Sequence, residues 1–387
     1  MGFLSMKIAH SIILLFVVIA GCSQLRVQQS FITKADDWKM FGGDIGRTNA
    51  AHGSTLRLPL TQVWEFETTA GFGGSAGSIS DQRLFVSNLR GEVQLIDVTT
   101  GAGIGKMDFG TSIVGTPVIK HGVMYLALAS SEESLVAYDL QNGKILWSSR
   151  LGDIESSPLL IDRHLYCTTT RGELICVGVG NGSREWTFTP REQRAPSSRS
   201  SPASDGALVV YATQSGRVYA VDKSNGALKW TSATDGNIVT SPTLSGGTAY
   251  VGALDGALYA FDAESGKRLW KRELGGKIFG GQAVDDSCVY VGTTGRTIFC
   301  LDKKDGSLRW SFSTPGMINS APVVTGKIVF TGGLDRMIYA LNVSDGSLLW
   351  KQEVPGRIKT MPIVWKDYLI VFSEDRSILA FKSEVVP

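Results

Sequence analysis

Thr248-Ala249-Tyr250-Val251-Gly252 leads through Asp255-Gly256 into Ala257-Leu258-Tyr259-Ala260-Phe261-Asp262, and a second turn at Glu264-Ser265-Gly266 leads into a run that ends at Trp270. Two short aromatic and β-branched runs joined at Asp-Gly predict a β-hairpin with a two-residue turn, because the backbone there needs φ > 0, which Gly and Asp tolerate. A third strand closes on the tryptophan. Upstream lies a further short strand opened by a Ser-Pro pair, as at Ser157-Pro158, Ser201-Pro202 and Ser241-Pro242. Four strands make one unit.

The unit recurs along the chain as Ala-x-Asp-x-x-x-Gly-x-x-x-Trp. Its Asp slot falls at Asp97, Asp139, Gly178, Asp222, Asp262, Asp302, Asn342 and Lys382, in steps of 39 to 44 residues. Trp64, Trp147, Trp186, Trp230, Trp270, Trp310 and Trp350 lie on the same grid. Eight copies of about forty residues predict an all-β fold, an eight-bladed β-propeller whose tryptophans dock blade to blade. The last copy stops before its own tryptophan, while Trp64 precedes the first Asp slot and has no hairpin of its own. The N-terminal strand is therefore expected to complete the last blade and close the ring. One tryptophan slot holds Gly105, and the small slot of that copy, Ala or Cys elsewhere, holds Leu95. In a close-packed interior Leu95 is expected to fill what the missing indole leaves, in the least regular blade.

Charge and composition narrow the function classes. With a net charge of +2 and no Lys/Arg run, nothing points to nucleic acid. At the N-terminus, Lys7 precedes Ile12-Ile13-Leu14-Leu15-Phe16-Val17-Val18-Ile19-Ala20 and then Gly21-Cys22, a secretory signal too short to span a bilayer. Ile19-Ala20-Gly21-Cys22 resembles the bacterial lipobox, which implies lipidation of Cys22, and Ser23 after it resembles outer-membrane sorting. The expected organisation is a signal peptide over residues 1–21, a lipidated Cys22 with a polar tether over residues 22–37, and a propeller over residues 38–387.

Export opens the question of disulfides. Counted outward from a turn at Arg171-Gly172, Cys167 faces Cys176, and a directly opposed pair can bridge. In the other reading Cys176 and Cys300 are small buried residues in an Ala slot.

The repeat resembles the tryptophan-docking motif of eight-bladed quinoprotein alcohol dehydrogenases and, above all, their non-enzymatic relatives in the BamB family of outer-membrane assembly lipoproteins. The dehydrogenases imply an adjacent Cys-Cys pair, calcium-binding acids and a catalytic Asp. The chain departs from that pattern: no two cysteines are adjacent, no step exceeds 44 residues to make room for an insertion, and the four histidines, His10, His52, His121 and His164, are scattered. Asp222, Asp262 and Asp302 sit where strands enter turns and are expected to bond their own backbone. Glu155, Val239, Phe279, Asn319 and Lys359 occupy the channel-mouth position of successive copies and share no chemistry. The longest step carries Arg191, Arg194 and Arg199 on one inter-blade loop, a partner-binding candidate. The resemblance implies a non-catalytic periplasmic scaffold without cofactor, lipid-anchored at the outer membrane, with an envelope protein, such as one of the β-barrel assembly machinery, as partner. The alternative is a small quinoprotein-like enzyme or ligand-binding propeller.

Overall fold

The structure, a computed structural model, describes residues 25–27, 34, 37–74, 77–130, 132–192 and 197–384. The signal peptide, Cys22 and Arg194 lie outside them. Eight antiparallel four-stranded sheets follow one another around a ring. Blades 1 to 7 take residues 77–108, 118–149, 159–188, 203–233, 243–273, 283–313 and 323–353. Blade 8 joins residues 363–383 to Leu60–Glu67, whose pairing with Ser377–Ser383 closes the propeller as the sequence predicts.

Each blade is ordered from axis to rim, and its burial follows. The inner three strands are apolar on both faces, as in Ala257–Asp262, because blades press on each side. The rim strand, such as Arg268–Glu273, is mostly exposed. The tryptophan stands on that strand directly opposite the small slot: Trp147 faces Ala137, Trp186 faces Cys176, Trp230 faces Ala220, Trp270 faces Ala260, Trp310 faces Cys300, Trp350 faces Ala340 and Trp64 faces Ala380. Each of six indoles also lies over the turn glycine of the next blade. A Cβ on Gly182, Gly226, Gly266, Gly306, Gly346 or Gly101 would come within 2.7 Å of the ring it meets. That clearance, with the positive φ of these residues, is why the slot reads Gly.

Gly105 faces Leu95, so the volume exchange expected at the odd slot is present. The expected irregularity is not, because blade 1 keeps four strands and the same register shift beside its small slot as its neighbours.

The hairpin turn departs from the sequence reading. The loop is Leu254-Asp255-Gly256, three residues, closed by Gly256 N–H to Ala253 O at 3.2 Å, with Gly256 at φ +86°. A residue in this left-handed conformation at the third position is the usual three-residue hairpin, which lengthens the turn by one and moves the register by one. In blade 3 the same loop is Thr170-Arg171-Gly172. Cys167 therefore faces Ile175 and Cys176 faces Tyr166, which puts the two thiols on opposite faces of the sheet. The pairing of Cys167 with Cys176 is corrected: both are buried free thiols. Burial pushes the Cys176 thiol up to about 12, well away from a reactive thiolate.

Candidate functional site

The Asp slots are turn residues. Asp97 accepts Thr99 N–H at 2.8 Å and Thr100 N–H at 2.9 Å, Asp262 accepts Ser265 N–H at 2.8 Å, and Asn342 does the same for Ser344 at 2.9 Å. Hydrogen bonds of this kind hold the Asp222 carboxyl at about 2, with Ser224 as the main donor. The Ser-Pro serines are blade connectors. Ser157 Oγ accepts Thr116 N–H, Ser201 Oγ accepts Ser157 N–H and Ser241 Oγ accepts Ser201 N–H, each at 2.9 Å, so four successive blades are pinned at the axis.

Two concavities adjoin the other residues singled out in the sequence. The first is an axial funnel of about 220 Å³, lined in ring order by Gly74, Val114, Glu155, Arg199, Val239, Phe279, Asn319 and Lys359. One residue comes from the start of each blade, and the spacing that singled out five of them in the sequence brings all of them to one mouth. Their charges are already satisfied: Arg199 Nε meets Glu155 Oε2 at 2.6 Å, and Lys359 Nζ meets Glu374 Oε1 at 2.5 Å. Asn319 Oδ1 is buried without a hydrogen-bond partner, and Phe279 is 43% exposed at the mouth.

The floor of the funnel was missed by sequence reasoning. Residues 38–51 run around the axis beneath Phe41, and their carbonyls accept an N–H from the inner strand of blade after blade: Trp38 from Ile79, Lys39 from Ile119, Ile45 from Ser204, Gly46 from Leu244, Thr48 from Val284 and Asn49 from Val324. At the centre Arg47 is 1% exposed, with Nη1 bonded to Phe41 O at 2.5 Å, Nε to Pro202 O at 3.0 Å and Nη2 to Pro158 O at 3.0 Å. Burial lowers its pKa to about 9 against the pull of Asp44, so it stays a cation at neutral pH. The only sequence signal was indirect. Gly42-Gly43-Asp44 marks a turn cluster, and the positive φ of Arg47 and Asn49 is a backbone fact that no periodicity carries.

The residues on the axis do not fit the quinone and calcium that the dehydrogenase resemblance would imply. The funnel presents a single carboxylate, already held by Arg199, over an aromatic floor, and the cysteines of blades 3 and 6 are buried within blades. Among the described residues no group of three or more His, Cys, Asp or Glu comes together to hold a metal ion.

The second concavity, about 950 Å³, lies on the rim between blades 3 and 4 and is lined by Phe188, Arg191, Glu192, Arg217, Tyr219 and Leu228, among others. Glu192 Oε1 pins the loop to blade 4 by accepting Tyr219 Oη–H at 2.8 Å and Thr213 Oγ1–H at 3.1 Å. Arg191 pairs with no carboxylate among the described residues. Arg191 and Arg199 are therefore not gathered at one place: Arg191 stands at the rim groove and Arg199 at the axial funnel.

Comparison with known proteins agrees with this architecture. A BamB of Xanthomonas campestris pv. campestris is 27% identical over 134 residues, 32% of this chain and 32% of that relative, so the match spans about a third of its length. Among solved structures, the chain superposes on BamB from Moraxella catarrhalis with TM-score 0.71 at 18% identity, over 84% of this chain and 100% of that one. It superposes on a europium-containing methanol dehydrogenase with TM-score 0.75 at 13% identity, over 90% and 98%. At these identities the superpositions establish the propeller and nothing finer. The family model described as outer membrane protein assembly factor BamB matches residues 59–150, 102–188, 188–278 and 254–383. These overlapping segments run from the strand that completes blade 8 to the end of the last strand, and on that match the chain belongs to the BamB family.

Proposed function

We propose that the chain is a non-catalytic scaffold, carried on the periplasmic side of the outer membrane by a lipid on Cys22, that assists outer-membrane protein assembly by holding a partner from the β-barrel assembly machinery. The observation that carries the reading is the arginine loop. The connection between blades 3 and 4 spans positions 189–202, where the next one spans only positions 234–242, and it presents Arg191, without a carboxylate partner among the described residues, beside a large rim groove. Arginine beside aromatic and aliphatic side chains is the composition of an interface anchor. The family supports the pathway, and the axial residues that fail to fit quinone and calcium support a binding role over a dehydrogenase.

Lipid-intact pull-down from envelope membranes tests it. Wild type is expected to retain barrel-assembly components, and Arg191→Ala/Arg194→Ala/Arg199→Ala to lose them without a change of fold. An unchanged partner profile would reject the loop as the contact. Appearance of a bound chromophore when pyrroloquinoline quinone and calcium are added to purified protein would reject the non-catalytic reading.

A further inference from the structure

Trp64, Trp147, Trp230, Trp270 and Trp310 each do two jobs at a blade boundary: the indole fills a gap over a turn glycine, and it donates its N–H to the carbonyl just past the next Asp slot. Trp64 reaches Val98 O at 2.7 Å, Trp147 reaches Val179 O at 2.9 Å, Trp230 reaches Ala263 O at 2.9 Å and Trp310 reaches Val343 O at 2.8 Å. At the boundary of blades 1 and 2 the slot holds Gly105, and the carbonyl at the equivalent place, after Asp139, is that of Leu140.

That carbonyl is not left over. Val27 N–H donates to Leu140 O at 2.7 Å. On either side, Tyr138 Oη–H donates to Leu25 O at 3.0 Å and Arg26 Nε donates to Gln141 O at 3.0 Å. Leu25 is 0% and Val27 3% exposed, in one apolar cluster with Leu95, Tyr138 and Leu140. Three residues from the start of the chain thus supply both the bulk and the N–H donor of the absent tryptophan.

We propose that Leu25–Val27 is the eighth docking element of the propeller and that it fixes the membrane anchor at the rim between blades 1 and 2. The second half rests on the lipidation of Cys22 proposed above. Leu25 is three residue steps from Cys22, and an extended chain covers about 3.3–3.6 Å per step, so the acyl group enters the bilayer within roughly 11 Å of that rim. The segment after the lipid is therefore a clamp where composition suggests a free polar tether. It sets which edge of the ring faces the membrane.

The test uses the full mature lipoprotein in detergent and follows tryptic cleavage of the Arg26–Val27 bond by mass spectrometry. Wild type is expected to be cut at least tenfold more slowly than Leu25→Ser/Val27→Ser, which leaves every blade strand untouched. Leu95→Ala/Gly105→Trp, which restores the large-small pair of the other blades and puts an indole donor on Leu140 O, is expected to release the segment to the same degree. Equal cleavage of wild type and Leu25→Ser/Val27→Ser would overturn the clamp, whatever the fate of the other variant. Cys22→Ala separates the two readings: it should keep the slow cleavage and lose the membrane, and slow cleavage with retained membrane binding would sink the anchor while the clamp stands. For the orientation, a fluorophore on Ile104→Cys is expected to be quenched by lipid-borne quencher in vesicles and one on Leu269→Cys, in blade 5, is not; equal quenching would overturn the placement of the anchor.

Discussion

Blades 1 and 5 have the same strands, the same turn lengths and the same register, yet they are held to their neighbours differently. Blade 5 presents Trp270 against Ala260 and has Ala257 at the start of its third strand. Blade 1 presents Gly105 against Leu95 and carries Glu92 where blade 5 has Ala257. What the difference teaches is that the repeat prescribes a filled volume and a satisfied carbonyl at each boundary, not a particular side chain. Where the tryptophan is absent, a leucine within the blade and an apolar segment from outside it divide the work.

The comparison breaks first at the regular boundaries. Trp230 is buried and hydrogen-bonded, so Trp230→Ala should cost about 3–5 kcal/mol, the usual consequence of deleting a packed aromatic, read as a lower urea midpoint. A midpoint within error of wild type would mean that the indoles are not what joins the blades. At the exceptional boundary, Leu95→Ala should lose about 2–5 kcal/mol to a cavity and Gly105→Trp about 1–3 kcal/mol to overpacking. Because the two side chains face each other, the double variant should recover about 1–3 kcal/mol relative to the sum of the single changes. Simple additivity would show that the volume exchange read from the register is coincidental.

A smaller effect belongs to blade 1 alone. Glu92 is buried, which by itself raises its pKa, but hydrogen bonds from Thr69, Lys106 and Asn88 outweigh burial and hold it at about 2. A carboxyl lowered in the folded state contributes stability that is present above its unfolded value near 4.5 and is lost as pH falls toward 2. Glu92→Gln should therefore cost on the order of 1–2 kcal/mol at neutral pH and flatten the acid limb between those values, whereas Ala257 gives blade 5 no such limb. Identical acid profiles for wild type and variant would remove Glu92 from the account. Least of all, Arg191→Ala should change the melting midpoint by no more than about 0.5 kcal/mol equivalent, since it pairs with nothing described in the fold. A larger loss would make the loop structural in place of functional.

Much of this was legible in the chain. The grid of Trp64 to Trp350 gives the blade number, the pairing of Trp with Ala or Cys explains the exception at Gly105 and Leu95, and the Asp slots read as turns. These succeed because periodic side-chain size is written into sequence at the same interval as the structure that uses it. The facing of Cys167 and Cys176 failed by one residue, because Asp-Gly and Arg-Gly are compatible with both two- and three-residue turns and only the ladder hydrogen bonds choose between them. Arg191, Arg194 and Arg199 looked like one patch because they share a loop. Arg191 lines the rim groove and Arg199 the axial funnel, a separation that sharing a loop does not reveal.

By itself the sequence determined the ring of eight blades, the strand that closes it and the residue pair at each boundary. The tertiary structure decided what lies across the axis and what occupies the odd slot. Residues 38–51 and Leu25–Val27 act chiefly through their backbone N–H and C=O groups, bonded to partners far along the chain. Every residue but proline carries both groups, so residue type does not announce where they will be used.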